Sequence, residues 1–450
     1  MNFFSNIFSK KSNSISLQNR LMESLFQYTN KGAVYNYSGN LKDNVNHYQE
    51  NDALYSIINL IIRNIQSVEW KLYEIKNKKA FDGFKATQNQ PISIKSTLYQ
   101  KNAFNEIESH PIISNFFETP NKRQGFSEFI EEFFGFKLLT GNGYINGIRQ
   151  PFGENKDLFQ EFFVMPSHLV EIITGGWQEP VKSYRLEFLW NERFEIPAND
   201  VLHSRNWNPN YVNGEWLYGL APSKAVNKPL NAIDEGNNAN VKSFQNMGAV
   251  GILSTDNFKT DELFGETLVK KYYEKFGGTD NAGKVMFSPI PLKYLDMAKS
   301  AVDMDILASN KDALRSVCNA WGLQSQLLND PDNKTYNNQK DARKALFTDV
   351  VMPLLNNFSK EVNRWLIQNY NDKGKTKLYA APNWREHPVL QDEFESLTTS
   401  LKDAWWLTPN EKRIMQGLGE LDLPNMNNIL IPNNLAKIEA INNTNTFNHV

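Results

Sequence analysis

Several stretches carry residues of the kinds that build enzyme sites, and each lacks a part its chemistry needs. Gly374-Lys375-Thr376 matches the end of a phosphate-binding loop, where backbone amides and a lysine cradle phosphate oxygens. The residue five positions before Gly374 is Asn369 rather than glycine, and the stretch follows a predicted helix instead of a strand. Asp303 and Asp305 stand two apart, which on a helix points their carboxylates in different directions, a poor start for a two-metal site. Asp330, Asp332 and Lys334 lack the glycine and closing glutamate of a calcium loop. The histidines at 47, 110, 168, 203, 387 and 449 are scattered, with none four residues from another. His110 precedes Pro111 and reads as a helix-start residue. Gly141-x-Gly143 with Gly147 is not the dinucleotide spacing, and it lies after a helix and before a strand, the reverse order. Its glycines supply turn angles. No catalytic residue, metal ligand or cofactor is expected, and the chain reads as a component of an assembly rather than an enzyme.

Composition sets bounds. A chain of 450 residues buries a substantial core and normally holds two or three domains. Its 48 basic and 50 acidic residues leave a formal charge of −2. That balance argues against a broad basic surface gripping nucleic acid and permits one that nucleic acid slides past. The single cysteine, Cys318, cannot close an intramolecular disulfide, which fits a cytoplasmic origin. No apolar run approaches the roughly 18 residues of a membrane span. Asn59, Arg63 and Asn64 interrupt the greasiest stretch, Ser56 to Ile65. The first residues lack the basic and apolar regions of a signal peptide; Phe3, Phe4, Ile7 and Phe8 fit a small amphipathic turn or a docking arm.

Residues 1–48 are rich in Asn, Ser and Lys and read as a partly disordered arm. Leu54, Ile57, Ile58, Ile61, Ile62 and Ile65 then recur as one helix face. Val68, Trp70, Leu72 and Glu74 alternate like one side of a half-buried strand. Residues 77–103 are polar and read as a loop or insertion. A short helix ends at Pro120-Asn121, and a second carries Phe126, Phe129, Ile130, Phe133 and Phe134 on one face. Gly141, Asn142 and Gly143 turn the chain into a strand beginning at Tyr144. Tyr184, Leu186 and Phe188, then Phe194 and Ile196 beyond Asn191-Glu192, predict a hairpin.

Residues 221–248 predict a long helix, strained at Pro229, with a stripe of Val226, Leu230, Ile233, Val241 and Phe244. A strand at 250–254, a helix at 261–276 and a strand at 284–287 form a compact unit. A second long helix spans about 299–321, with Val302, Ile306, Ala313, Val317 and Trp321 on one face, and a polar loop follows. A third runs over about 339–370 with a stripe of Phe347, Val351, Leu355, Phe358, Val362 and Trp365, and Pro353 predicts a kink. Helices at 391–403 and 408–417 close the series, the second opened by a capping box of Thr408 and Glu411. The Asn-rich tail beyond Pro432 reads as disordered.

The order helix, turn, aromatic helix, L-L-T-G-N-G-Y and strand over residues 110–148 resembles the wing region of the portal proteins of tailed bacteriophages. Other pieces follow in the family's order. Asn51 to Ile65 resembles its opening helix, and Asp200-Val201-Leu202-His203 the segment closing the wing sheet. Tyr218-Gly219-Leu220-Ala221-Pro222 resembles the start of the first stem helix, with Ala221 for the usual serine. Thr335-Tyr336-Asn337-Asn338 resembles the segment before the kinked helix, and Leu407-Thr408-Pro409-Asn410-Glu411-Lys412-Arg413 a crown motif. One departure is Trp321 to Leu328, where the family often has two prolines and this chain has none.

The resemblance implies a portal fold of α+β class, with an α+β wing, long-helix stem, small βαβ clip and helical crown. It divides the chain into an arm (1–48), wing (49–220), stem helix 1 (221–248), clip (249–294), stem helix 2 (295–322), tunnel loop (323–338), long kinked helix with the rest of the wing (339–392), crown (393–432) and disordered tail (433–450). It implies a homo-oligomeric ring, typically of twelve subunits, at one capsid vertex of a virion, assembled in the host cytoplasm with major capsid protein and scaffold. Double-stranded DNA is driven through such a ring by a large terminase and leaves by it at infection. A head-completion or tail adaptor protein binds the ring, and no membrane is involved. In the tunnel loop the resemblance singles out Gln324, Gln326, Leu327, Leu328, Asn329, Asp330, Asp332 and Lys334; in the clip, Lys270, Lys271, Tyr272, Glu274 and Lys275. Asp234, Glu235, Asp303, Asp305 and Asp312 are the acidic candidates for the channel face. Two other readings stay open at this point: another structural ring or adaptor of a virion, and a hydrolase or nuclease with an unrecognised site.

Overall fold

Two helices meet at Asn51. The computed structural model describes residues 41–87, 99–100, 102–153, 155–175, 179–187, 193–246, 251–254, 270, 293–296, 306–328, 330, 336–373, 376–384, 387–416 and 420–430. Helix α1 (Leu41–Glu50) occupies the end of the stretch expected to be a disordered arm; the rest of that arm lies outside the described residues. Asn51 caps helix α2 (Asp52–Gln66), its side-chain oxygen accepting from the Leu54 amide at 2.9 Å. All six aliphatic residues of the predicted stripe, Leu54 to Ile65, are buried.

Strand β1 (Trp70–Ile75) follows, with both Leu72 and Tyr73 buried because both its faces are covered. The covering element on the Tyr73 side is helix α3 (Lys78–Thr87), in a stretch read as a loop. Its face of Ala80, Phe81 and Phe84 packs on Phe104 and Tyr379 and is short enough to be lost among flanking lysines. Strand β2 (Phe104–Ile107) pairs antiparallel with β1.

Helix α4 (Phe126–Thr140) carries Phe129, Phe133 and Phe134 fully into the core. Phe116, on a wide helical turn at Ile113–Glu118, meets Phe129 and Phe162 edge to face at 5.8 and 4.8 Å. The chain then builds β3 (Asn142–Arg149), β4 (Phe159–Met165), β5 (Val170–Ile173), β6 (Ser183–Glu187), β7 (Arg193–Pro197) and β8 (Val201–Arg205). They form two antiparallel sheets of order β4-β3-β8 and β5-β6-β7. The β6–β7 pairing is the predicted hairpin; its turn lies outside the described residues.

The first long helix is two pieces, α5 (Pro222–Ala225) and α6 (Asn227–Asn246), broken at Val226. The break puts Pro229 in the first turn of α6, where its missing amide proton would have had no partner, so the expected strain is relieved. Val226, Leu230 and Ile233 are buried as predicted, but Val241 is 52% exposed. Strands β9 (Gly251–Ser254) and β10 (Lys293–Asp296) pair antiparallel, so the described return strand is 293–296; the strand expected at 284–287 lies outside the described residues. Helix α7 (Ile306–Ala320) packs back along α6.

The third long helix runs over residues 336–373 as α8 (Tyr336–Ala345), α9 (Met352–Val362) and α10 (Gln368–Lys373), joined by π-helical turns at Leu346–Val351 and Asn363–Ile367. The first π turn ends beside Pro353, with the Met352 amide reaching back to the Phe347 carbonyl. A widened turn accommodates the proline ring where a kink was expected. Strand β11 (Leu378–Pro382) pairs with β1, and helices α11 (Gln391–Asp403) and α12 (Pro409–Met415) follow, α12 with the predicted Thr408–Glu411 capping box.

Phe358 of α9 touches Trp70, Phe133 and Phe134 and is fully buried. Phe358→Ala should lower the unfolding free energy by about 3–5 kcal/mol, read from the shift of the urea midpoint.

Candidate functional site

Helix α4 ends in the protein interior. The last four carbonyls of a helix lack intrahelical donors, and a buried unpaired one costs about 1–3 kcal/mol. Here the donors come from separate elements. The Gly141 amide bonds to the Lys137 carbonyl, with Gly141 at φ 76°, a conformation glycine enters freely. The Leu138 carbonyl accepts from Trp321 Nε1 at 3.3 Å, the Leu139 carbonyl from Ser223 Oγ at 3.5 Å and the Thr140 carbonyl from Asn142 Nδ2 at 3.0 Å. Trp321 directly follows α7 and Ser223 lies in α5. The near ends of both long helices are therefore fixed to one helix terminus.

This junction leaves no room for side chains at its closest point. A Cβ on Gly219 would stand 2.0 Å from the Gly141 carbonyl oxygen. Asn142 clasps the same place: its Oδ1 accepts from the Gly219 amide at 2.6 Å, and its Nδ2 also donates to the Gly219 carbonyl at 3.3 Å.

A polar network lies beside it. His203 Nε2 is 3.2 Å from Asn142 Oδ1, and Nδ1 is 3.2 Å from the Tyr184 hydroxyl. Asn142 Oδ1 can only accept, which assigns the proton to Nε2 and makes Nδ1 the acceptor from Tyr184. The imidazole stacks on Tyr144 at 4.2 Å. Burial, then the Arg205 and Lys137 cations, push its pKa down to about 3. Lys137 is itself buried and donates to Ser204 Oγ; burial lowers its pKa, opposed by Glu361. The network is positional: it holds a neutral imidazole between an amide and a phenol. Among the described residues no group of three or more His, Cys, Asp and Glu could hold a metal ion, and no helix is long and apolar enough to cross a membrane.

The residues singled out from sequence fall in three places. Gln326, Leu327 and Leu328 sit half-buried on a 3-10 turn, Ser325–Leu328, with Gln324 exposed before it. Asp330 is buried, accepting from Arg315 Nε at 2.8 Å, Arg315 Nη2 at 3.2 Å and Ser325 Oγ at 2.8 Å. This part of the predicted polar loop is thus pinned to α7. Asn329, Asp332 and Lys334 lie outside the described residues, as do Lys271, Tyr272, Glu274, Lys275, Asp303 and Asp305. Lys270 is helical and exposed. Glu235 and Asp312 are exposed, and Asp312 is 3.5 Å from Arg315. Asp234 is half-buried and accepts from Asn51 Nδ2 at 2.8 Å, which ties it to the start of α2. Trp321 and Ser223 were legible only as a stripe residue and a helix start. Their donor roles link positions 183 and 84 apart, which no local pattern encodes.

Two outcomes test this junction. Trp321→Phe keeps the apolar ring and removes the donor, and should cost about 1–3 kcal/mol in urea unfolding. His203 has its folded pKa depressed below the unfolded value, so the unfolded chain binds the extra proton between about pH 6.5 and 3. Stability should fall as pH drops through that window. From pH 7 to 5 the His203 share is at most about 2 kcal/mol, since over that range the unfolded imidazole takes up its proton while the folded one stays neutral. Comparing the pH slope of His203→Gln with that of the parent chain isolates it.

Comparison with known proteins gives the context of this architecture. An uncharacterized protein of Rickettsia bellii is 24% identical over 397 residues, 86% of this chain and 92% of that one. Another, from Rickettsia felis, is 26% identical over 392 residues, 84% of this chain and 90% of that one. A chain in the neck of an empty gene transfer agent particle, computed with C6 symmetry, shares the fold with a TM-score of 0.60 at 20% identity, covering 87% of this chain and 96% of its own. A chain in the neck of a native particle, computed with C12 symmetry, has a TM-score of 0.57 at 20% identity, covering 83% and 92%. The phage portal protein family model matches residues 52–417, most of the chain, and the protein belongs to that family.

Proposed function

We propose that this chain is the portal of a DNA-containing particle: copies close into a ring, with twelve as the expected number, at one capsid vertex, and DNA enters and leaves through the ring. Its role is structural, with a separate large terminase supplying the driving force. Major capsid protein and scaffold meet the outer face, and a head-completion or tail adaptor binds after packaging. The observation that carries this reading is the rooted pair α6 and α7. Two helices start from one helix terminus, run side by side and are joined beyond their far ends by the β9–β10 pair. Val241 on α6 is exposed although it lies on the predicted apolar stripe, which fits a stem whose outer faces meet neighbouring copies. Family membership and the likeness to chains in particle necks support the same reading.

In this reading residues 49–220 with 339–392 form the wing, α5–α6 and α7 the stem, 249–294 the clip and 393–432 the crown. The 323–338 segment, tethered at Asp330, forms the tunnel loop. A formal charge of −2 suits a conduit, because every neutralised phosphate adds a salt-sensitive grip on DNA. The clip is the surface offered to the terminase and later to the adaptor.

The purified chain should appear in negative stain as rings with a central hole, with a solution mass near twelve times 51.8 kDa. A compact monomer throughout the micromolar range would overturn the proposal. Deleting residues 261–276 should leave rings intact and abolish DNA packaging. Packaging that survives the deletion would remove the clip from terminase docking.

A further inference from the structure

The large apolar side chains exposed among the described residues gather near their C-terminal end. Trp405, Trp406, Leu421, Leu423, Ile429 and Leu430 all stand open, Trp406 at 58% and Leu430 at 61%. Single exposed apolar residues need no explanation, but a cluster marks a surface that something covers. This cluster is anchored chain. Asn410, buried in the first turn of α12, holds it from the centre. Its amide donates to the Met426 carbonyl at 2.9 Å, and its Nδ2 donates to the Leu421 carbonyl at 3.0 Å and to Asn427 Oδ1 at 2.8 Å. Its Oδ1 accepts from the Leu421 amide at 3.0 Å. The two leucines, the Ile429-Leu430 pair and the tryptophans that precede the Thr408 cap are thus gathered around one residue.

The chain continues from this surface. Residues 431–450 follow Leu430 and lie outside the described residues. Leu435, Ile438 and Ile441 recur there at every third position, which on a helix places them within about 120° of one another. The helix formers Ala436, Lys437, Glu439 and Ala440 lie between them, and Asn434 stands where an N-cap belongs. We infer that residues 435–441 fold back as a short amphipathic helix onto the apolar surface of Trp405, Trp406 and Leu430 in the same chain. So short a helix is unstable alone, so it orders only on docking, in keeping with the polar character of the tail around it. From Leu430 to Leu435 the chain reaches about 17 Å at full extension, which keeps the segment beside the surface. A short tether of this kind gives an effective concentration in about the millimolar range, so a small apolar contact suffices. Duplex DNA is a poor occupant, since its phosphates would lie against tryptophan and leucine beside the exposed carboxylates of Glu420 and Asp422. The inference concerns a single subunit and does not rest on the ring reading.

Oxidative footprinting, read by mass spectrometry on the peptide that carries Trp405 and Trp406, tests the inference. The full chain is compared with a chain ending at Leu430, in the monomer fraction and in rings alike. Both tryptophans should oxidise at least fivefold more slowly in the full chain, while Trp207, 81% exposed on a separate loop, stays unchanged as the control. The triple variant Leu435→Ser, Ile438→Ser and Ile441→Ser touches none of the described core and should restore the rate of the shortened chain. Equal rates in the full and shortened monomers would overturn the inference, as would a triple variant that stays protected. Protection confined to rings, with or without the tail, would overturn it in favour of a neighbouring copy. Protection that appears only when duplex DNA is added would overturn it in favour of DNA. Rings that form with unprotected tryptophans would leave the ring reading standing, and protected monomers that form no ring would leave this inference standing alone.

Discussion

A helix that stops inside a protein must find donors for its last carbonyls, and here that requirement organises the molecule. The end of α4 is served by Trp321 from one long helix, Ser223 from the start of the other and Asn142 from the first strand of a sheet. Sheet and long helices are therefore not separate bodies on a flexible joint. They share a terminus, and displacing either helix would strip a buried carbonyl of its partner. The 2.0 Å approach at Gly219 adds a steric stop to the same point. A load applied at the far end of α6 and α7 is delivered to α4, whose phenylalanines pass it into the core.

The neighbouring His203, Asn142 and Tyr184 explain why this junction is polar at all. An apolar patch would tolerate several packings, whereas the imidazole, amide and phenol accept one arrangement of donors and acceptors. The depressed pKa of His203 keeps it in the neutral form that this arrangement uses.

Much of the core was legible because burial leaves a period in the sequence. The stripe of α2, the aromatic face of α4 and the run from Phe347 to Val362 all took their predicted places. Helix α3 was missed because two phenylalanines among lysines are too few to set a period. The strand Lys293 to Asp296 was not foreseen because its apolar signal is only Tyr294 and Leu295, and its pairing with 251–254 depends on distant register. Pro229 and Pro353 were correctly seen as obstacles, but the remedies, a break at Val226 and a widened turn, depend on what the surrounding core tolerates. The junction itself was half visible. Gly141, Asn142, Gly219 and His203 lay in motifs, while the donors from Trp321 and Ser223 belong to contacts made only once the chain has folded.

The widened turns in the third long helix have a geometric consequence of their own. Each residue of an α-helix advances about 100° around the axis, so one extra residue in a turn rotates everything beyond it by that angle. The 336–373 helix contains two such turns and so presents a different azimuth on each of its three segments. This lets one continuous rod face α2 with Leu346 and Phe347, the aromatic cluster with Phe358 and strand β11 with the stretch after it. Losing a single residue from 346–351 would remove the widened turn and rotate every downstream side chain by about 100° away from its present contacts.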